Sequence, residues 1–397
     1  MSQGLRLAYL VHDLHDPAVA RRLDMMRPHL ADAVVIGFHR SGEAPASISG
    51  WPAVALGRTA DARFARRVVL LLRARLLLAA LKPHIARRDV VLSRQLETLL
   101  LGRAARDGFA PGAVLAQECL DVHRLLVGQG LAARLLRWLE HRLLAACDLV
   151  ITSSPGFERE YLRPMHGAAL PPVLLVENKV LAGEAGAGPA LRPVGPPWRI
   201  GWYGVLRCRR SLLLLAALAR RLPGLVEVDL RGRPARSAIP DFDALVAASP
   251  GLVFGGGYDR RHELAGLYGG VHYVWAIDFF EAGANSAWLL PNRLYEGTLY
   301  GAVPIAQGDV ETGRWLALRR AGLLLEGDQD RLLLERLAAH FGGLTAAGFA
   351  DAAAAVAAIP RSALVDDGRD GQRLAKAFRS LLAGLPGEAM VQDGCNL

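Results

Sequence analysis

A pair of doubly wound α/β domains with parallel sheets is the fold class this sequence predicts, on three observations. Short apolar runs alternate with longer helical patterns, the alternation stops once at a Gly/Pro-rich stretch and restarts, and 397 residues exceed the roughly 100–200 that one domain usually takes. In the first half, residues 5–11, 33–37, 89–93, 113–117, 148–153 and 173–177 read as strands, with chain enough between them for crossover helices. Parallel neighbours need such crossovers, because the chain must return to the starting edge before it pairs again. Residues 181–197, LAGEAGAGPALRPVGPP, show no periodicity and are crowded with Gly and Pro, so they predict a linker. Strands resume at 198–204, 226–232, 252–255, 272–277, 303–307 and 322–326. The Ala-rich residues 344–358 and residues 370–382 predict terminal helices that can cross back toward the first half. The expected layout is a first domain at 1–182, a linker at 183–197, a second domain at 198–345, C-terminal helices at 346–384 and a tail at 385–397.

Charge is distributed unevenly along this frame. The chain carries 47 basic and 38 acidic residues, a net +9, and only Lys82, Lys179 and Lys376 of the basic ones are lysine. Residues 1–182 hold 24 of the basic and 16 of the acidic residues, and nine basic residues lie between Arg58 and Arg88 against the single acid Asp61. On a helical wheel Ala65, Val68, Val69, Leu72, Leu76 and Ala79 form one apolar stripe, with Arg63, Arg66, Arg67, Arg73, Arg75 and Lys82 spread over the other side. Such a helix suits the headgroup region of an anionic membrane, and equally a core helix with a solvated Arg face. The leucine-rich run 68–81 is interrupted by Arg73 and Arg75 and falls short of the ~20 apolar residues a spanning helix needs. The opening residues lead one to expect no signal peptide, and Cys119, Cys147, Cys208 and Cys395 share no metal-binding or disulfide-framework spacing. The expectation is a cytoplasmic protein peripherally associated with the inner membrane. Nucleic-acid binding is not expected, since no aromatics are interleaved with the basic residues.

The densest group of polar residues among aromatics is WAIDFFEAGANSAWLLPNRLYEGTLYG at 275–301, beginning where a predicted strand ends. In open α/β sheets ligands bind beyond the carboxyl ends of the strands. Pro291 favours a helix start at Asn292, which sets Asn292 and Glu296 four apart on one helical face. A helix carboxylate there can accept both hydroxyls of a ribose, while the helix N-terminus offers N–H groups to a diphosphate. The structural alternative is a Glu296 that caps the helix or pairs with Arg293. Asp278, Glu281 and Asn285 complete the polar set.

The run PNRLYEGTLYGAVPIA resembles the nucleotide-sugar segment of GT-B-fold glycosyltransferases. In the same order stand DLVITSS at 148–154, LLVENK at 174–179, GWYGVLRCRR at 201–210, DLRG at 229–232 and GGGYD at 255–259, so the chain is similar over about residues 5–340 to glycosyltransferase family 4. The resemblance implies two facing Rossmann-like domains with a cleft between them and a nucleoside-diphosphate sugar as co-substrate. By position it implies Glu296 on the ribose, Arg207 or Arg209 at the diphosphate, Tyr258 by the base, and Asp278, Glu281 and Asn285 near the sugar and pyrophosphate, with Gly204 and Asn292 also in the donor site. Neutralisation by arginine is what a metal-independent transferase needs, so no metal and no further cofactor is expected. The chain departs from the family at Trp288, where a second Glu is usual, eight residues before Glu296, and at residues 11–18, where VHDLHDPA replaces a Gly-Gly turn. That opening, together with DFFEAGANSAW, is most similar to transferases of succinoglycan-type exopolysaccharide assembly. The acceptor this implies is a saccharide on a polyprenyl diphosphate, and the donor is UDP-glucose in the first instance.

An inverting transfer needs a base from the first domain to take the acceptor's proton, whereas a retaining one does not. Candidates after predicted strands are His12, Asp13 and Asp16, and Glu118, Asp121 and His123. Asp121 stands first, with His123 as its partner and Asp13 as runner-up. Any of these acids can also be an ordinary helix N-cap. Two other readings compete: a nucleotide-sugar epimerase or hydrolase of the same fold, and a non-catalytic saccharide-binding protein on the membrane.

Overall fold

A computed structural model of the chain describes residues 4–40, 42–58, 74–186 and 192–385, the side chains of 74–77 excepted. The chain forms two compact units, one of the described residues up to Val176 together with those from Gly368 onward, the other Glu177–Asp367.

The first unit holds an eight-stranded sheet. Its strands are β1 (Leu5–Val11), β2 (Leu30–His39), β3 (Ser47–Ile48), β4 (Trp51–Arg58), β5 (Val90–Arg94), β6 (Val114–Cys119), β7 (Leu149–Thr152) and β8 (Val173–Leu175), in the order β3-β4-β2-β1-β5-β6-β7-β8. Every pairing is parallel except the β3–β4 hairpin at the edge. All residues of β5, β6 and β7 are buried, as expected of parallel strands covered on both faces. The β3–β4 strands went unrecognised in the sequence because Pro52 and Gly57 punctuate a half-exposed edge that lacks a continuous apolar run. The helix Pro17–Met26 starts at Asp16, whose side chain accepts the Ala18 N–H at 2.9 Å.

The second unit holds an all-parallel six-stranded sheet of β10 (Trp198–Leu206), β11 (Val226–Pro234), β12 (Leu252–Phe254), β13 (Tyr273–Trp275), β14 (Val303–Gln307) and β15 (Leu323–Leu325), in the order β12-β11-β10-β13-β14-β15. Strand order reverses between β10 and β13, the switch point at which doubly wound sheets open a crevice. A separate two-stranded pair joins β9 (Val180–Leu181) to β16 (Val365–Asp366).

These pairings move the expected boundaries. Residues 177–182 belong to the second unit, because β9 pairs with β16 there. The described end of the expected linker is held to the same unit: Arg192 donates to the Tyr300 carbonyl at 2.7 Å, and the Pro193 carbonyl lies 2.9 Å from the His272 ring. Of the C-terminal helices, Ala346–Ala357 buries Phe349 and Val356 in the second unit's core, whereas Arg369–Leu382 belongs to the first unit and packs on the helix Pro17–Met26.

Candidate functional site

The carboxyl ends of β10 and β13 border a cavity of about 280 Å³ in the second unit. Six of the residues expected at a donor site line it: Gly204, Arg207, Tyr258, Asp278, Asn292 and Glu296. Gly204 and Gly232 bring the ends of β10 and β11 together with φ of +114° and +118°, and a Cβ on Gly232 would meet the Gly204 carbonyl oxygen at 2.0 Å. The helix Asn292–Leu299 follows Pro291 and carries Asn292 and Glu296 to the cavity on one face. It lies close on β13 because Gly297 has no side chain: a Cβ there would stand 2.5 Å from Val274 Cγ1.

Glu296 is 3% exposed and its two carboxylate oxygens are both engaged. Oε1 accepts from Arg260 Nε at 2.9 Å, and Oε2 accepts from the Tyr268 hydroxyl at 2.9 Å. Arg260 reaches Glu184 with its other branch, tying the segment after β9 to the cavity. Its partner is therefore Arg260, not Arg293, whose guanidinium donates to the Ile277 carbonyl at 2.8 Å. Burial opposes the charge on Arg260, but Glu296 and Glu184 outweigh it and raise its pKa. Burial, and then the Glu296 carboxylate, push Tyr258 and Tyr268 up, so both phenols stay protonated at neutral pH.

Beyond β13 the chain folds on itself around Asp278. Its Oδ1 accepts from the Phe280 N–H at 2.8 Å and the Ser286 hydroxyl at 3.2 Å, and its Oδ2 lies 3.6 Å from Arg207. Arg207 in turn covers the Phe280 ring at 4.6 Å. Glu281 and Asn285 bond to each other and do not line the cavity, so of the two acids upstream of Trp288 it is Asp278 that reaches it. Arg209 is not brought in either: it pairs with Asp241 at 2.7 Å on the exposed side of its helix. Asp241 and Asp243 form an Asp-x-Asp spacing, as do Asp328 and Asp330, a pattern that can hold a divalent metal. Arginines occupy three of these carboxylates: Arg209 on Asp241, Arg236 on Asp243 at 3.0 Å and Arg210 on Asp330 at 2.6 Å. Among the described residues no group of three or more His, Cys, Asp or Glu side chains is placed to hold a metal ion.

Sequence similarity decides the family once this geometry is known. Over 388 residues, 96% of this chain and 95% of the relative, the chain is 44% identical to the succinoglycan biosynthesis protein ExoL of Rhizobium meliloti. The chain belongs to the ExoL family. No family model matches it. In fold it is similar to sucrose-phosphate synthase from Thermosynechococcus elongatus, with a TM-score of 0.72 and 14% identity over 96% of this chain and 100% of that one. It is also similar to HepE of Anabaena in complex with UDP-glucose, with a TM-score of 0.67 and 14% identity over 95% of this chain and 100% of that one. Two Rossmann-like units of the GT-B class are thus the architecture of this ExoL family member.

In its first unit, a second cavity of about 120 Å³ brings Asp121 and His123 together with Gln95, Glu97 and Gln117 over a floor of leucines. Gln95 follows β5 with φ +78°, a conformation a non-glycine residue holds only where its surroundings demand it, and it donates to Asp121 Oδ1 at 2.7 Å. His123 Nδ1 accepts the Leu125 N–H at 3.2 Å. Asp13 is not at this cavity: it accepts the His15 N–H at 3.1 Å, and Arg40 lies 3.7 Å away. Asp16 is a helix cap that also pairs with Arg94 at 2.8 Å. Glu118 is locked in an ion cluster, with Arg22 at 2.7 Å, Arg94 at 2.8 Å and the Tyr9 hydroxyl bonded to it, which removes it as a base. Burial works against its charge, but Arg94 and Arg22 hold its pKa down to about 2. Arg63, Arg66, Arg67 and Arg73 lie outside the described residues, and Arg75 is on the helix Ala74–Ile85 with its side chain outside them.

Arg260, Arg293 and Tyr203 line the first of these cavities and were not foreseen. The signal for Arg260 was available, since Asp259 caps the helix that Arg260 begins, directly after the singled-out Tyr258.

Proposed function

We propose that the chain is a glycosyltransferase that moves a hexose, in the first instance glucose from UDP-glucose, to a lipid-linked saccharide during assembly of an exopolysaccharide of the succinoglycan kind. The observation that carries this reading is the gathering of Arg207, Tyr258, Arg260, Asp278, Asn292 and Glu296 at the switch point of the second sheet. Glu296, oriented by Arg260 and Tyr268, accepts the ribose hydroxyls. The guanidiniums of Arg207 and Arg260 neutralise the diphosphate as the bond to the sugar breaks, the role a metal plays elsewhere. Tyr258 borders the base, and Asp278 accepts from a sugar hydroxyl. In the first unit Asp121, held by Gln95, takes the proton of the acceptor hydroxyl as its oxygen bonds to the anomeric carbon and the nucleoside diphosphate departs. Relationship to ExoL supports the pathway.

Calorimetric titration of UDP, GDP and ADP into the wild type and Glu296→Ala tests the donor half. One nucleotide should bind, and the variant should bind it ten- to a hundredfold more weakly, the ~1.5–3 kcal/mol of a lost hydrogen bond to a charged group. If none binds, the transferase reading fails and a saccharide-binding role takes its place. Transfer from UDP-glucose should survive a chelator and fall at least a hundredfold in Asp121→Asn. Hydrolysis or epimerisation of the sugar with no acceptor product would assign a different reaction to the same site.

A further inference from the structure

The helix Leu131–Leu144 is apolar on two opposite faces. Its inner face is ordinary: Ala133, Leu143 and Leu144 are buried, and Leu136 and Leu139 line the cavity that holds Asp121 and His123. Its outer face is not. Leu131, Leu135 and Trp138 are 81%, 64% and 56% exposed, at spacings of four and three residues that set them on one stripe. A monomer in water gains nothing from such a stripe, and patches of this kind mark a surface made for a partner.

The structure assigns this stripe to the headgroup layer of an anionic lipid bilayer, with the helix lying in the plane of the membrane. Charge selects the partner. Arg124, Arg134 and Arg142 are exposed beside the stripe, whereas the only acid between residues 124 and 142 is Glu140, half-buried and bonded to the Tyr161 hydroxyl with His166 at 3.2 Å. Arg142 sits over the Trp138 ring at 5.6 Å, a pairing that keeps an apolar body inward and a cation toward phosphates. A second copy of a chain with net +9 would set these arginines against arginines. The surface is also preformed: Arg137 donates to the Leu126 and Gly128 carbonyls at 2.7 and 2.6 Å, fixing to the helix a loop that exposes Leu125 and Val127. Leu125 belongs to the wall of the Asp121 cavity as well, so a bilayer held here stands at the mouth of that cavity. The inference deepens the reading of a membrane-borne acceptor and replaces Arg63–Arg75 as the principal contact.

The test is co-sedimentation of the full chain with vesicles of phosphatidylglycerol and phosphatidylcholine, and of phosphatidylcholine alone, at about 0.15 M salt. Wild type should bind the anionic vesicles. Leu131→Ser with Leu135→Ser and Trp138→Ser should lose at least tenfold in binding, with its circular dichroism and nucleotide affinity unchanged. Arg134→Glu with Arg142→Glu should lose binding most strongly at low salt, where charge acts furthest. The inference is overturned if wild type ignores the vesicles, if the triple variant binds like wild type, or if changing Arg63, Arg66 and Arg67 alone abolishes binding. It is also overturned if wild type proves to be a dimer that the triple variant dissociates, since the stripe then meets a second copy. Failure of nucleotide binding would sink the transferase reading while leaving this one standing.

Discussion

Glu118 shows what a single buried charge can do in this chain. Its partners Arg22 and Arg94 are 5% and 2% exposed, so neither finds water if the carboxylate is removed. Glu118→Gln should therefore cost about 3–5 kcal/mol in urea denaturation, the penalty of leaving buried charge uncompensated. The pH dependence has a definite sign. Folding lowers the pKa of Glu118 from 4.5 to about 2, so the stability it lends is complete above pH 4.5 and is lost as pH falls toward 2. Acid titration of wild type should show this loss, and Glu118→Gln should flatten it. Gln95 makes the opposite trade. Glycine adopts its φ of +78° freely, so Gln95→Gly should be neutral or stabilising by up to about 1 kcal/mol while lowering kcat, because Asp121 loses the hydrogen bond from Gln95. A thermal midpoint measured beside kcat separates the two effects. The sequence offers Glu118 only as one of several candidate bases and does not mark Gln95 at all, because a glutamate at a strand end and a glutamine before a helix take their roles from neighbours far along the chain.

At the scale of elements, the helix Asn292–Leu299 depends on one glycine. Gly297→Ala forces a methyl against Val274, and overpacking of this kind costs about 1–3 kcal/mol. The shift should move Asn292 and Glu296 together, so nucleotide affinity should fall although the substitution touches no ligand, as calorimetry would show. Most elements were legible. Strands β1 and β14 fall on residues 5–11 and 303–307 as read from their apolar runs, and Pro291 marks the helix start. The two-residue strands β9 and β16 were not, since each exists only through pairing with the other across the whole second unit. Six of the residues expected at a donor site line one cavity because they cluster on local motifs, whereas Arg209 does not line it, since Asp241 pairs with it on the exposed side of its helix.

At the scale of the molecule, the return of the last helix to the first unit has a measurable consequence. Gly371 lies against the chain at Met25, where a Cβ would stand 2.3 Å from the carbonyl oxygen, and Leu374 and Phe378 are buried on that face. Gly371→Leu should lower the thermal transition of the first unit and leave unchanged the transition that shifts upward with bound nucleotide. The sequence by itself determined the two alternating α/β halves, the glycine and proline positions that end their strands, and the concentration of polar residues at 275–301. Burial periodicity and turn chemistry are local properties, written in residues a few positions apart. Only the tertiary structure decided that Glu184, Arg260, Tyr268 and Glu296 form one hydrogen-bonded group, that Glu118, which lines the same cavity as Asp121, is held by Arg22 and Arg94, and that an apolar stripe on Leu131–Leu144 is exposed. Those are matters of strand order and helix rotation, which bring together side chains that the chain itself holds far apart.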